Sequence, residues 1–134
     1  MPRCQILVVD NDDDHRHMMV QLLARLGYAA QAVESGEAAL ERLEDQPVML
    51  VIADLIMPGM GGVELCRQIK RHYPETVVLA FSGHLGLYPE DRLERAGFDG
   101  LLEKPIAVEQ LQRAVDAAVA GHRAGEARQT EDGP

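Results

Sequence analysis

Ile6-Leu7-Val8-Val9 runs directly into Asp10-Asn11-Asp12-Asp13-Asp14, and the fold follows from that junction. The apolar stretch is too short for a helix and offers no polar face, as expected of a central parallel strand covered on both sides. Asp12, Asp13 and Asp14 suit the start of a helix, where carboxylates favour the positive dipole end. The helix follows at once. Met18, Met19, Leu22, Leu23 and Leu26 recur at helical spacing, and Gly27 supplies a C-terminal stop.

The same strand-then-helix unit recurs along the chain. Further apolar runs are Ala29 to Val33, Met49 to Ala53, Val77 to Phe81 and the weaker Gly100-Leu101-Leu102. Ser35 is an N-cap for a helix through Ala39, Leu40 and Leu43 that ends before Pro47. Val63, Cys66 and Ile69 share one face of a third helix, which stops before Pro74. Pro89 suits the first turn of a fourth, with Leu93 and Ala96, closed by Gly97. Val108, Leu111, Val115, Ala118 and Val119 stripe the fifth. Five such units predict an α/β fold, a doubly wound five-stranded parallel sheet with helices on both faces. The expected strand order is 2-1-3-4-5, flavodoxin-like.

Length and charge narrow the function. A chain of 134 residues, 46% apolar and 26% charged, is the size of one ordinary domain. Residues 1–120 hold it. From Gly121 to Pro134 the apolar period stops, which predicts a disordered tail or linker. Thirteen Lys and Arg against 22 Asp and Glu give a net charge of −9. That field repels phosphate backbones, and no basic stripe overcomes it, so nucleic acid is not an expected partner. Without Trp there is no strong base-stacking platform. No apolar run approaches the roughly 20 residues of a membrane span, and the first run is too short for a secretory signal. Cys4 and Cys66 lack CxxC partners and read as reduced thiols, which fits a cytoplasmic protein, monomeric or weakly dimeric.

Polar residues fall at the strand ends, where parallel α/β sheets bind ligands. The first strand ends on Asp10, the third on Asp54, the fourth on Ser82 and the fifth on Glu103-Lys104-Pro105. In the order 2-1-3-4-5, Asp10 and Asp54 are neighbours, with Ser82 and Lys104 on the other side. Crowded carboxylates repel unless a cation sits between them, and oxygen ligands plus waters suit Mg²⁺. A hydroxyl and an ammonium opposite would face an anion. A nucleophilic oxygen, a divalent metal and donors for equatorial oxygens are the parts of phosphoryl transfer.

LVVDND near the start, DLIMPGMGG around Asp54, AFSG holding Ser82 and EKPI around Lys104 resemble the signatures of response-regulator receiver domains, in order and spacing. The resemblance runs from Ile6 to Val119. It implies that Asp54 accepts a phosphoryl group from a sensor histidine kinase or histidine phosphotransfer protein. It implies that Asp10, Asp54 and the Ile56 main-chain carbonyl hold Mg²⁺ or Mn²⁺, and that Ser82 and Lys104 contact the phosphate. It also implies a cis Lys104–Pro105 peptide and a switch, at Ser82 and position 101, that regulates a downstream effector protein.

Simpler readings stand beside these. Asp54 before a Pro-Gly turn could be a turn residue, Ser82-Gly83 a turn, and Lys104 a surface lysine. His15, His17, His72, His84 and His122 show no ligand spacing and read as solvated. The chain also departs from the family pattern. Asn11 stands where a second acid is usual, so Asn11 or Asp12 would complete the metal site. Leu101 replaces the usual aromatic, Gly61 a common Asp and Gly83 a common Ala. Two rivals follow. A pseudo-receiver would bind partners without phosphorylation. A haloacid-dehalogenase-like phosphatase would use Asp10-Asn11-Asp12, but only Glu109 and Asp116 follow Lys104 for its last acidic motif, and Asp54 would have no role.

Overall fold

The structure, a computed structural model, describes residues 5–83 and 85–132. In chain order the elements are β1 (Ile6–Val9), α1 (Asp13–Arg25), β2 (Ala30–Val33), α2 (Gly36–Asp45), β3 (Leu50–Ala53), α3 (Gly62–His72), β4 (Val77–Ser82), a 3₁₀ turn (Leu85–Leu87), α4 (Glu90–Ala96), β5 (Gly100–Glu103) and α5 (Val108–Asp132). All five strands are parallel and lie in the order β2-β1-β3-β4-β5. The fold class and order are those expected from the sequence.

Alternation within each strand builds two cores. Leu7, Val9, Val51, Ala53, Val78 and Ala80 face one way, onto Leu43 of α2, Leu65 and Ile69 of α3 and Leu93 of α4. Ile6, Val8, Leu50, Ile52, Leu79 and Phe81 face the other, onto Met19 and Leu23 of α1 and Leu111 and Val115 of α5. Each fully buried aliphatic side chain contributes about 1.5–3 kcal/mol. That two-sided burial is why β1, β3 and β4 carry no polar alternation.

Local signals set most of the boundaries. The Asp12 side chain accepts the His15 N–H at the start of α1, and the Ser35 hydroxyl accepts that of Ala38 at the start of α2. Gly97 closes α4 at φ 106°, a conformation that a side chain would strain. Two apolar stripes are less buried than their spacing predicts. Met18 is 46% exposed and Val108 44%, because each lies at the margin of its helix's buried face.

The helical backbone of α5 continues to Asp132, past Gly121, where the sequence predicts a tail. Ala, Arg and Glu recur in that stretch, and no proline interrupts it, so their helix propensity favours the continued helix. Among the described residues, no helix is long and apolar enough to cross a membrane.

Candidate functional site

Strand register delivers the site. Val9 pairs with Ala53, so Asp10 and Asp54 leave their strands at the same level, and the Asp54 N–H still donates to the Val9 carbonyl at 2.9 Å. Ser82 pairs with Glu103, and the Lys104 N–H donates to the Ser82 carbonyl at 3.0 Å. The Lys104–Pro105 peptide is cis. Four separate strands therefore end on one rim.

Lys104 draws the rim together. Its Nζ donates to Asp10 Oδ2 at 2.8 Å and to Asp54 Oδ2 at 3.1 Å. It also lies 3.1 Å from His15 Nδ1 and 5.2 Å from the centroid of the Phe81 ring beneath it. Burial pulls the Lys104 pKa down. The hydrogen bonds and charges of Asp10 and Asp54 outweigh that pull and leave it above its ordinary value, so the amine is an ammonium.

The remaining lone pairs are largely engaged by backbone. Asp10, only 3% exposed, also accepts the Asp12 N–H at 3.0 Å, and Asp54 Oδ1 lies 3.4 Å from the Ile56 nitrogen. Asp12 spends its carboxylate as the α1 cap. The bond from the His15 N–H holds its pKa below the ordinary value, with burial opposing. Asn11 and Ile56 are exposed, and Ser82 is fully buried. Leu101 is partly buried against the core of α2, α3 and α4, beside an open groove lined by Leu85, Tyr88, Pro105 and Ile106.

Supporting contacts hold the loop after Asp54. The Glu37 carboxylate of α2 accepts the Met60 N–H at 2.9 Å, and the Gly62 N–H donates to the Leu55 carbonyl at 2.9 Å. A Cβ at Gly62 would lie 2.2 Å from the Asp54 carbonyl oxygen, so only glycine lets α3 start that close to Asp54.

The chain that carries this cluster matches a described family. The sequence model for the response regulator receiver domain matches residues 6–116. The chain belongs to that family. Receiver domains are signalling modules of two-component systems, and this one has a phosphoacceptor receiver's function. It is 29% identical over 114 residues to the response regulator receiver protein CpdR of Brucella abortus, covering 84% of this chain and 93% of CpdR. It is 38% identical over 122 residues to a probable cyclic di-GMP phosphodiesterase of Vibrio cholerae, covering 86% of this chain but 26% of that protein. The receiver domain of NtrX from Brucella abortus superposes with a TM-score of 0.81 at 28% identity, covering 87% of this chain and 98% of that one.

Two further outcomes concern single residues. Cys66 is a free, buried thiol in this receiver, and Cys4 lies outside the described residues. Among the histidines, His17 and His72 are exposed, as expected. His15 keeps a side chain 44% exposed, but its ring also reaches Lys104. His84 and the side chain of His122 lie outside the described residues.

Proposed function

We propose that Asp54 is the phosphoacceptor of this receiver, taking the group from a phosphohistidine on a sensor histidine kinase or histidine phosphotransfer protein. One observation carries the reading: a single ammonium, Lys104, is held by Asp10 and Asp54 at once. An Asp54 oxygen forms the new P–O bond while the P–N bond to the donor imidazole breaks and the ring leaves with those electrons. Lys104 then pairs with the added phosphoryl oxygens, and the buried Ser82 hydroxyl contacts one of them. The buried Ser82, and Leu101 beside the groove with Tyr88 and Ile106, shift the populations of that face toward a downstream effector protein.

The donor set fits Mg²⁺ or Mn²⁺. Asp10, Asp54 and the Ile56 carbonyl offer only oxygen, and Mg²⁺ usually takes one or two carboxylates and keeps several waters. Among the described residues, no group of three or more His, Cys, Asp or Glu is spaced as an all-protein metal cage. Asn11 brings a neutral oxygen where a third charge would sit, because Asp12 is committed to capping α1. When bound, the ion supplies positive charge against the transferred phosphoryl oxygens. We place the packed receiver within residues 1–120, in the cytoplasm, with α5 beyond Gly121 as an appendage or linker.

Incubation with acetyl phosphate and Mg²⁺, followed by intact mass spectrometry, tests the assignment. One phosphoryl group is expected on the wild type and on Asp10→Asn, more slowly in the latter, and none on Asp54→Asn. Label surviving in Asp54→Asn overturns the site, and no label on the wild type under any condition makes the chain a pseudo-receiver.

A further inference from the structure

His15 touches Lys104 on the rim, and the phosphoacceptor reading gives it no task. Its Nδ1 lies 3.1 Å from Lys104 Nζ and 3.6 Å from Asp10 Oδ2, so the hydrogen bond is to the lysine, and the carboxylate is beyond that range. An ammonium can only donate, so the ring accepts through Nδ1 and carries its proton on Nε2. The N-cap bond from the His15 N–H to Asp12, at 3.0 Å, fixes the backbone that carries the ring, whose side chain is 44% exposed. Asp10, Asp54 and His15 thus match the three N–H bonds of Lys104, two by charged acceptors and one by a neutral acceptor.

We infer that His15 is a positioning residue for Lys104, holding the ammonium at the rim through an acceptor that carries no charge. A neutral acceptor retains the amine without competing with an incoming phosphoryl anion. When Asp54 is phosphorylated, one of the two charged partners changes, and His15 keeps the amine within reach of the phosphate. This second half rests on the reading of Asp54 as phosphoacceptor; the resting geometry does not.

The test uses the full chain without phosphodonor. Lys70 and Lys104 are its only lysines, so Lys70 serves as an internal reference for labelling by a small amine-acylating reagent, read by peptide mass spectrometry. His15→Leu keeps bulk and removes the acceptor, whereas His15→Asn sets its Oδ1 where Nδ1 stands. The Lys104-to-Lys70 labelling ratio is expected to rise roughly threefold to tenfold in His15→Leu, the effect of one lost hydrogen bond. It is expected to return toward the wild-type value in His15→Asn. An unchanged ratio in His15→Leu overturns the inference. So does an equal rise at Lys70, which reports general loosening, or a failure of Asn to restore protection. A wild type that takes no phosphate from acetyl phosphate would instead sink the phosphoacceptor reading and leave the labelling result standing.

Discussion

At the scale of the residue, Lys104 decides how the site behaves without a bound ion. It is the charge that separates two carboxylates, one of them almost fully buried. Lys104→Met leaves Asp10 and Asp54 facing each other unpaired. In metal-free buffer this should cost on the order of 2 kcal/mol, the range for a hydrogen bond to a charged group left unmade. Added Mg²⁺ should recover much of that loss, because a ligand that binds only the folded chain stabilises it. Thermal melts with and without Mg²⁺ check this. A Lys104→Met melting temperature no more sensitive to Mg²⁺ than the wild type would contradict it. The same cluster marks what the sequence could show. Asp10, Asp54 and Lys104 were legible because each ends a strand-like run and the order of a parallel sheet brings such ends together. His15 was not, since its contact with Lys104 joins residues 89 apart and a lone histidine in an exposed run carries no spacing signal.

At the scale of the element, the β3–α3 connection does the positioning. Its geometry depends on Gly62, where a Cβ would lie 2.8 Å from Leu55 Cα as well as against the Asp54 carbonyl. Both are backbone atoms and cannot rotate aside. Gly62→Ala should therefore shift the loop, destabilise the fold by about 2 kcal/mol or more and slow phosphorylation of Asp54 disproportionately. Denaturant melts paired with acyl-phosphate formation check both parts. Full activity in a merely less stable protein would place the strain away from Asp54. Glu37→Ala makes a milder comparison, since it frees the Met60 N–H at an exposed position. A several-fold slower transfer with little change in stability is expected there. Helix starts were readable from Asp12, Ser35 and Pro89, because capping chemistry is local. The contact of Glu37 with the loop after Asp54 was not, because it arises only when α2 and α3 pack side by side. Nor was the length of α5, where helix propensity continues after the apolar period of the sequence stops.

At the scale of the whole molecule, alkaline pH should expose the groups that the fold protects. Cys66 on α3 is buried in the core, and desolvation pushes its thiol up from 9.0 to about 12, with Lys70 opposing. The first consequence is inertness. The thiolate is the reactive form, so the Cys66 peptide should label with iodoacetamide far more slowly in native protein than in urea. The second is a slope in stability. A group whose pKa is higher in the folded chain keeps its proton there after the unfolded chain has released it. Between the two values the native state binds more protons, so stability falls as pH rises. For Cys66 the fall begins near pH 9.0 and continues toward about 12. Lys104 has the same sign, since Asp10 and Asp54 outweigh its burial, but its part begins only above the ordinary lysine value of about 10.4. Urea midpoints in metal-free buffer should thus decline steadily from about pH 9. In Cys66→Ala the decline should start about one unit later, whatever the variant's absolute stability, because the Lys104 contribution begins above the ordinary lysine value. A midpoint that rises with pH in this window, or a Cys66→Ala profile that parallels the wild type throughout, would show that α3 does not shield this thiol from water.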